Sequence, residues 1–337
     1  MANNLNQFRN LVFEGGGVKG IAYCGALEIC EKKGILNNIN RVAGTSAGAI
    51  TAGLLAVGFS YSEIFDLLKK TSFQSFLDNY WGYVRDVISL FKDYGWYKGE
   101  HFRNWFEEQL FQKTGNRKFS FQDLENALKD NDSNFKYLAV AGTNLRTQAT
   151  EVFSPETTPN MSIAEAIRIS MSIPLFFRAI KYQGIRYVDG GLYYNYPINI
   201  FDNRKYLSDP KYGQEIDYDH REGAVFNCQT LGMRVDTKDE IKVLMDQATP
   251  LPIRNIKDYM KALIGGYMDG MNKIHLHKND WHRTIFIDSL GVKTTAFNLN
   301  DDTIDKLVES GRKSAEIYFK WFENPEEDSL PLNKPEE

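Results

Sequence analysis

Two units of strand, glycine-bearing turn and helix stand back to back in the first 58 residues, and this arrangement constrains the fold more than any other feature of the sequence. The short run Asn10 to Phe13 feeds directly into Gly15, Gly16 and Gly17, and the residues from Ile21 to Cys30 carry a helical spacing. Ile35 and Leu36 then lead to the run Arg41 to Ala43, a second glycine-bearing turn, and an apolar helix of small residues that ends near Gly58. Alternation of this kind predicts an α/β protein with a mostly parallel sheet covered by helices, with function at the loops that follow the strands.

The remaining chain continues the pattern less regularly. Phe102, Trp105, Phe106 and Leu110 mark one face of a helix, Ser120 and Asp123 form a capping box, and Tyr137 to Ala141 reads as a buried strand. Ser162 with Glu165 opens another helix, which must stop before Pro174 because the residue preceding a proline is pushed out of the helical region. A β-hairpin is expected over Ala179 to Tyr194, strands at Val225 to Thr230 and Thr284 to Ile287, and helices around Ile253 to Ile274 and Thr303 to Phe322. The 337 residues, 42% hydrophobic and 25% charged, suit one large or two ordinary domains; a single domain over 1–323 is expected, with its motifs in 9–200 and 201–323 a candidate regulatory part, and residues 324–337 are expected to be a disordered acidic tail. The net charge of -4 gives no general attraction to nucleic acid, and no apolar run reaches the roughly 18 residues of a membrane span. A cytoplasmic protein that touches membranes only locally is expected. Cys24, Cys30 and Cys228 are too few and too scattered for a disulfide framework or a zinc site, so they read as buried thiols.

Gly44-Thr45-Ser46-Ala47-Gly48 matches G-x-S-x-G between a strand and a small-residue helix, the setting in which a serine becomes an exposed nucleophile on a strained turn. Gly15-Gly16-Gly17-Val18-Lys19-Gly20 offers consecutive amides without obstructing side chains, as an oxyanion hole needs; a structural turn explains the same run. A phosphate loop does not fit, because Gly20 is followed by Ile21 and Ala22. A dinucleotide fingerprint does not fit either, because the next strand ends in Arg41, Val42 and Ala43 rather than in an acid. Glu14 stands where many hydrolases carry the histidine of an oxyanion loop, and none of His101, His220, His275, His277 and His282 falls in a recognisable strand-end loop. A base other than histidine is therefore sought. Asp189, followed by Gly190 and Gly191 at the end of an alternating strand, is the candidate, and an ordinary hairpin turn is the competing reading.

These three elements, in this order and spacing, resemble the patatin-like phospholipases over roughly residues 9–200, and Ser170-Met171-Ser172-Ile173-Pro174-Leu175-Phe176-Phe177 is similar to the block that precedes the family's Asp-Gly-Gly element. Thr230 to Arg234 resembles, more weakly, the later part of bacterial members. The resemblance implies a three-layer α/β/α sandwich with a central, mostly parallel sheet and hydrolysis of lipid acyl esters without metal or cofactor. By it, Ser46 is the nucleophile, Asp189 its base, and Gly15, Gly16, Gly17 and Val18 the oxyanion loop, while Lys19 either steadies that loop or meets a lipid phosphate. The implied partner is a phospholipid or other acyl lipid at a membrane surface, with a protein or small-molecule activator and oligomer formation left open. An acyltransferase using the same acyl-enzyme and a silent lipid-binding scaffold are the alternatives. Phe176 and Phe177 read either as an acyl channel or as core. The aromatic residues Phe73, Phe76, Tyr80, Trp81, Tyr83, Phe91, Tyr94, Trp96 and Tyr97 read either as a membrane-entering cap or as the packing of a helical subdomain.

Overall fold

Alternate residues of the first strand point into two different cores, and the architecture follows from that. Leu11 and Phe13 join the main apolar cluster while Val12 lies with Ala43 and Ala139 in a second one, as the two-residue period of a strand buried on both faces requires. The computed structural model describes residues 4–71, 73–76, 95–130, 134–217, 219–236, 259, 279–294 and 296–324. Its strands are β1 (Asn10–Phe13), β2 (Arg41–Gly44), β3 (Gly95–Tyr97), β4 (Tyr137–Asn144), β5 (Ala149–Phe153), β6 (Leu175–Phe177), β7 (Ile180–Tyr182), β8 (Ile185–Asp189), β9 (Gly213–Gln214), β10 (Phe226–Asn227), β11 (Thr230–Asp236) and β12 (Thr284–Asp288). The principal sheet runs in the order β12-β11-β1-β2-β4-β8-β7, with β5 also pairing to β4. The pairs from β12 through β4 are parallel, and β5, β8 and β7 are antiparallel additions.

Among the described helices are α1 (Tyr23–Lys32), α2 (Ala47–Ala56), α3 (Tyr61–Lys70), α4 (Glu100–Thr114), α5 (Phe121–Lys129), α6 (Ile163–Ser170) and α7 (Asp301–Glu323). Helix α2 is buried along its whole length, which its Ala, Gly and Leu composition permits. Helices α1 and α7 pack at glycines: a Cβ on Gly25 would stand 1.9 Å from the Val308 carbonyl oxygen, and one on Gly311 2.0 Å from that of Ala22. The opposite face of the sheet is covered, among the described residues, by Tyr196, Ile198 and Phe201, with Tyr206 packed beside them. The result is an α/β sandwich about a central, mostly parallel sheet.

Several local expectations are met. Both capping residues Ser120 and Ser162 accept from the amide three residues on, and α6 ends four residues before Pro174. Three differ. The helix anticipated from Ile21 begins as a 3-10 turn over Gly17–Ala22 and becomes α-helical only at Tyr23. The strand anticipated over Val225 to Thr230 is two strands, β10 and β11, interrupted where Gln229 turns back to bond the Gln7 carbonyl and Ser208. Finally, the hairpin reverses at Gln183 and Gly184, both with positive φ, so Asp189-Gly190 is not its turn. The helix anticipated around Ile253 to Ile274 lies, apart from Tyr259, outside the described residues, as do residues 325–337 of the tail.

Candidate active site

Ser46 sits between β2 and α2 at φ 52° and ψ -124°, a conformation that costs a non-glycine residue about 1–3 kcal/mol. The surrounding structure holds it there. Its amide donates to Ser170 Oγ at 2.9 Å, and the Ser170 hydroxyl donates in turn to the Ala141 carbonyl at 2.6 Å. The glycines of the motif are set by close approach: a Cβ on Gly44 would come within 2.4 Å of the Gly48 backbone, and one on Gly48 within 2.5 Å of the Phe13 and Glu14 carbonyl oxygens. The Ser46 hydroxyl is almost buried and lies 3.9 Å from Met171 Sδ.

Strand β4 brings the second residue to the first. Gly44 pairs with Val140 and Asp189 with Gly142, so the ends of β2 and β8 meet β4 two residues apart, about 7 Å along the strand. Asp189 is fully buried; its amide donates to the Ser172 carbonyl at 2.9 Å and its own carbonyl accepts from the Thr143 hydroxyl at 2.9 Å. Oδ1 accepts from the Gly191 amide at 2.7 Å, while Oδ2 is buried without a hydrogen-bond partner among the described residues. Burial pushes the carboxyl up to about 7, opposed by the Gly191 amide and by the nearby Ser46 hydroxyl. That hydroxyl is close enough to favour the charged form without completing a regular hydrogen bond, a looseness usual before substrate binds.

The glycine loop lies beside Ser46, since a Cβ on Gly15 would stand 3.2 Å from the serine Cβ. Its amides are not equivalent. Gly15 donates to the Asn195 carbonyl at 2.9 Å, and Asn195 Nδ2 returns a bond of 2.9 Å to the Gly15 carbonyl. Val18 donates to the Thr294 carbonyl at 3.2 Å. The amides of Gly16 and Gly17 precede the hydrogen-bonded part of the turn and carry no bond to a described residue. A Cβ on Gly16 would meet nothing closer than 3.8 Å, so a methyl has room there, whereas Gly17, at φ +55°, would collide with Thr294. Behind the loop, Glu14 is buried with Arg234, 3.5 Å away; Arg234 is held by two bonds to Asp236, and the Val235 amide donates to Glu14. Desolvation raises the Glu14 carboxyl to about 8. Lys19 is buried too, its Nζ donating to the Val235 carbonyl at 3.3 Å, which makes it a support of the loop.

Phe177 is buried beneath the Arg168 guanidinium, and Phe176 is half-buried against Tyr97 and Phe297. Of the aromatic run ahead of α4, Phe76 is core, packed on Phe102 and Trp105, and Tyr80, Trp81, Tyr83, Phe91 and Tyr94 lie outside the described residues. His101 is exposed beside the Ser75 carbonyl, His220 lies on an exposed loop, and His282 stacks on Trp281 and Trp321; His275 and His277 lie outside the described residues.

The family model of patatin-like phospholipases matches residues 11–202, the segment that carries both Ser46 and Asp189. The chain belongs to the patatin-like phospholipase family. A relative of this patatin-like protein, an uncharacterised protein of Acanthamoeba polyphaga mimivirus, is 30% identical over 92% of this chain and 93% of its own length. A protein of Invertebrate iridescent virus 6 named "probable lipid hydrolase" is 32% identical, covering 59% of this chain and 66% of its own. Among solved structures, VipD from Legionella pneumophila shares the fold with a TM-score of 0.60 at 18% identity, over 93% of this chain and 67% of that one.

Three side chains of this patatin-like protein were not singled out by the sequence reading. Ser170, Met171 and Asn195 reach Ser46 or the glycine loop across more than a hundred residues of chain. The block beginning at Ser170 was the available signal for the first two. Asn195 had none beyond its place six residues after Asp189.

Proposed function

We propose that this protein hydrolyses fatty acyl esters of lipids through an acyl-enzyme on Ser46, with Asp189 as the base and the Gly16 and Gly17 amides as oxyanion donors. The observation that carries the reading is the buried Asp189 Oδ2, which has no hydrogen-bond partner among the described residues while the hydroxyl of the strained Ser46 lies near enough to influence that carboxyl. A desolvated carboxyl near 7 is matched to proton transfer at neutral pH. Asp189 takes the serine proton as Oγ bonds to the ester carbonyl carbon, and the carbonyl oxygen gathers negative charge at the two amides. Collapse breaks the ester bond, and the leaving alcohol receives the proton from Asp189. Water then repeats the sequence in reverse and frees the fatty acid.

Gly15 and Val18 serve this scheme by their bonds to Asn195 and Thr294, which fix the loop on either side of the donors. Each donor amide is expected to contribute about 3 kcal/mol to the transition state. The proposed substrate is a phospholipid or other acyl lipid met at a membrane surface; none of the described helices is long and apolar enough to cross one. A fluorophosphonate probe tests the nucleophile: wild type should be labelled at Ser46 and Ser46→Ala should not. Equal labelling of both proteins would overturn the assignment.

A further inference from the structure

Two residues far beyond the matched segment 11–202 touch the glycine loop and the segment that follows Met171. Both belong to the connection between β12 and α7. The Thr294 carbonyl oxygen accepts the Val18 amide at 3.2 Å and occupies the space that a Cβ on Gly17 would need, 2.2 Å away. Three residues later the Phe297 ring stacks on Phe176, centroids 5.2 Å apart and planes within 17°. The Phe176 amide donates to the Ile173 carbonyl, two residues after Met171, whose sulfur lies 3.9 Å from the Ser46 hydroxyl. The described residues of the connection thus touch both the loop of the proposed oxyanion amides and the half-buried Phe176, on the segment that also carries Met171.

It is also firmly tied. The Ser289 amide donates to the Asp236 carbonyl at 2.8 Å, the Ser310 hydroxyl to the Asp288 carbonyl at 2.7 Å, and the Asn300 side chain caps α7, while Val292 and Leu299 pack on the main core. A half-buried, stacked pair of phenylalanines held on two anchored segments offers a flat apolar wall with a fixed position, the kind of surface that receives an alkyl chain.

We infer that Phe297, stacked on Phe176, forms the acyl-chain wall of the site and sets its preference for long chains, while Thr294 on the same connection seats the oxyanion loop. This inference rests on the hydrolase reading for the identity of the ligand. A short acyl group ends before reaching the wall; a long one lies along it. The loss of the ring therefore discriminates by chain length, because each methylene contact in an apolar pocket carries a measurable share of specificity.

The test compares kcat/KM for p-nitrophenyl palmitate and p-nitrophenyl butyrate in wild type, Phe297→Ala and Phe297→Leu, alongside calorimetric titration of palmitate into the same three variants built on Ser46→Ala. The expected result is a palmitate-to-butyrate ratio lowered about 5-fold or more in Phe297→Ala and partly restored in Phe297→Leu, with palmitate binding weakened in parallel. A ratio unchanged within about twofold, or an equal loss for both esters, would overturn the wall. The titration separates the two readings. Palmitate binding that depends on Phe297 in a protein that cleaves neither ester would refute the hydrolase and uphold the wall, and binding indifferent to Phe297 would refute the wall.

Discussion

Burial of the Asp189 carboxyl, the base we propose, costs stability at neutral and higher pH. Its folded-state carboxyl sits at about 7 against an ordinary value of 3.8, so the fold favours the protonated form. The stabilisation is fully present below about 3.8 and is lost as pH rises through about 7. Asp189→Asn, which carries no charge, should therefore be inactive yet more stable than wild type at pH 8, by on the order of 1–4 kcal/mol, with the difference vanishing near pH 4. Thermal unfolding of the two proteins across this range checks it, and identical pH profiles would contradict it. If Asp189 is the base, as we propose, kcat/KM of the wild type should climb with pH and level off above about 7, as the base becomes charged. Gly15→Ala should lower kcat/KM by at least about 100-fold, because its Cβ would displace Asn195 Oδ1 and press on Ser46. Gly16→Ala, with open space at its Cβ, should fold as wild type does.

At the scale of elements, legibility followed sequence distance. Both glycine motifs could be read because a strand, a turn and a helix are local, and the cramped approach of Gly48 to the end of β1 is what fixes their spacing. Asp189 could be placed at a strand end from its own pattern but against Ser46 only through the family resemblance, because the register of β4 with both β2 and β8 joins them and no local pattern encodes register. The partners that seat the site were illegible for the same reason. Glu14 meets Arg234, Gly15 meets Asn195 and Val18 meets Thr294, each across most of the chain. For Lys19 the sequence left loop support and a lipid phosphate open, because burial of its four-carbon stem leaves no mark in composition. The crossing of α1 and α7 gives a test at this scale. Gly311→Val must push α7 off the Ala22 carbonyl at the end of the loop's own 3-10 turn, and should destabilise by about 2–4 kcal/mol in urea unfolding. An unchanged midpoint would show that the helices are free to separate.

For the whole molecule, the match to the family spans 11–202, yet β11 pairs with β1 directly beneath the glycine loop, and β12 and α7 extend the same sheet and core. We propose on this basis that residues 1–323 fold as one unit. A fragment ending at residue 202 would expose β1 as an edge and strip the cover from α1, so it should fail to unfold cooperatively, as circular dichroism during heating would reveal. A cooperative transition in that fragment would locate folding within the matched segment alone.

The most direct measurement of the central claim is fatty acid release from mixed phospholipid vesicles by wild type, Ser46→Ala and Asp189→Asn, each with and without cell extract as a source of activator. Release by wild type alone is the predicted result. Release that persists in either variant at the wild-type rate would contradict the Ser46 and Asp189 mechanism.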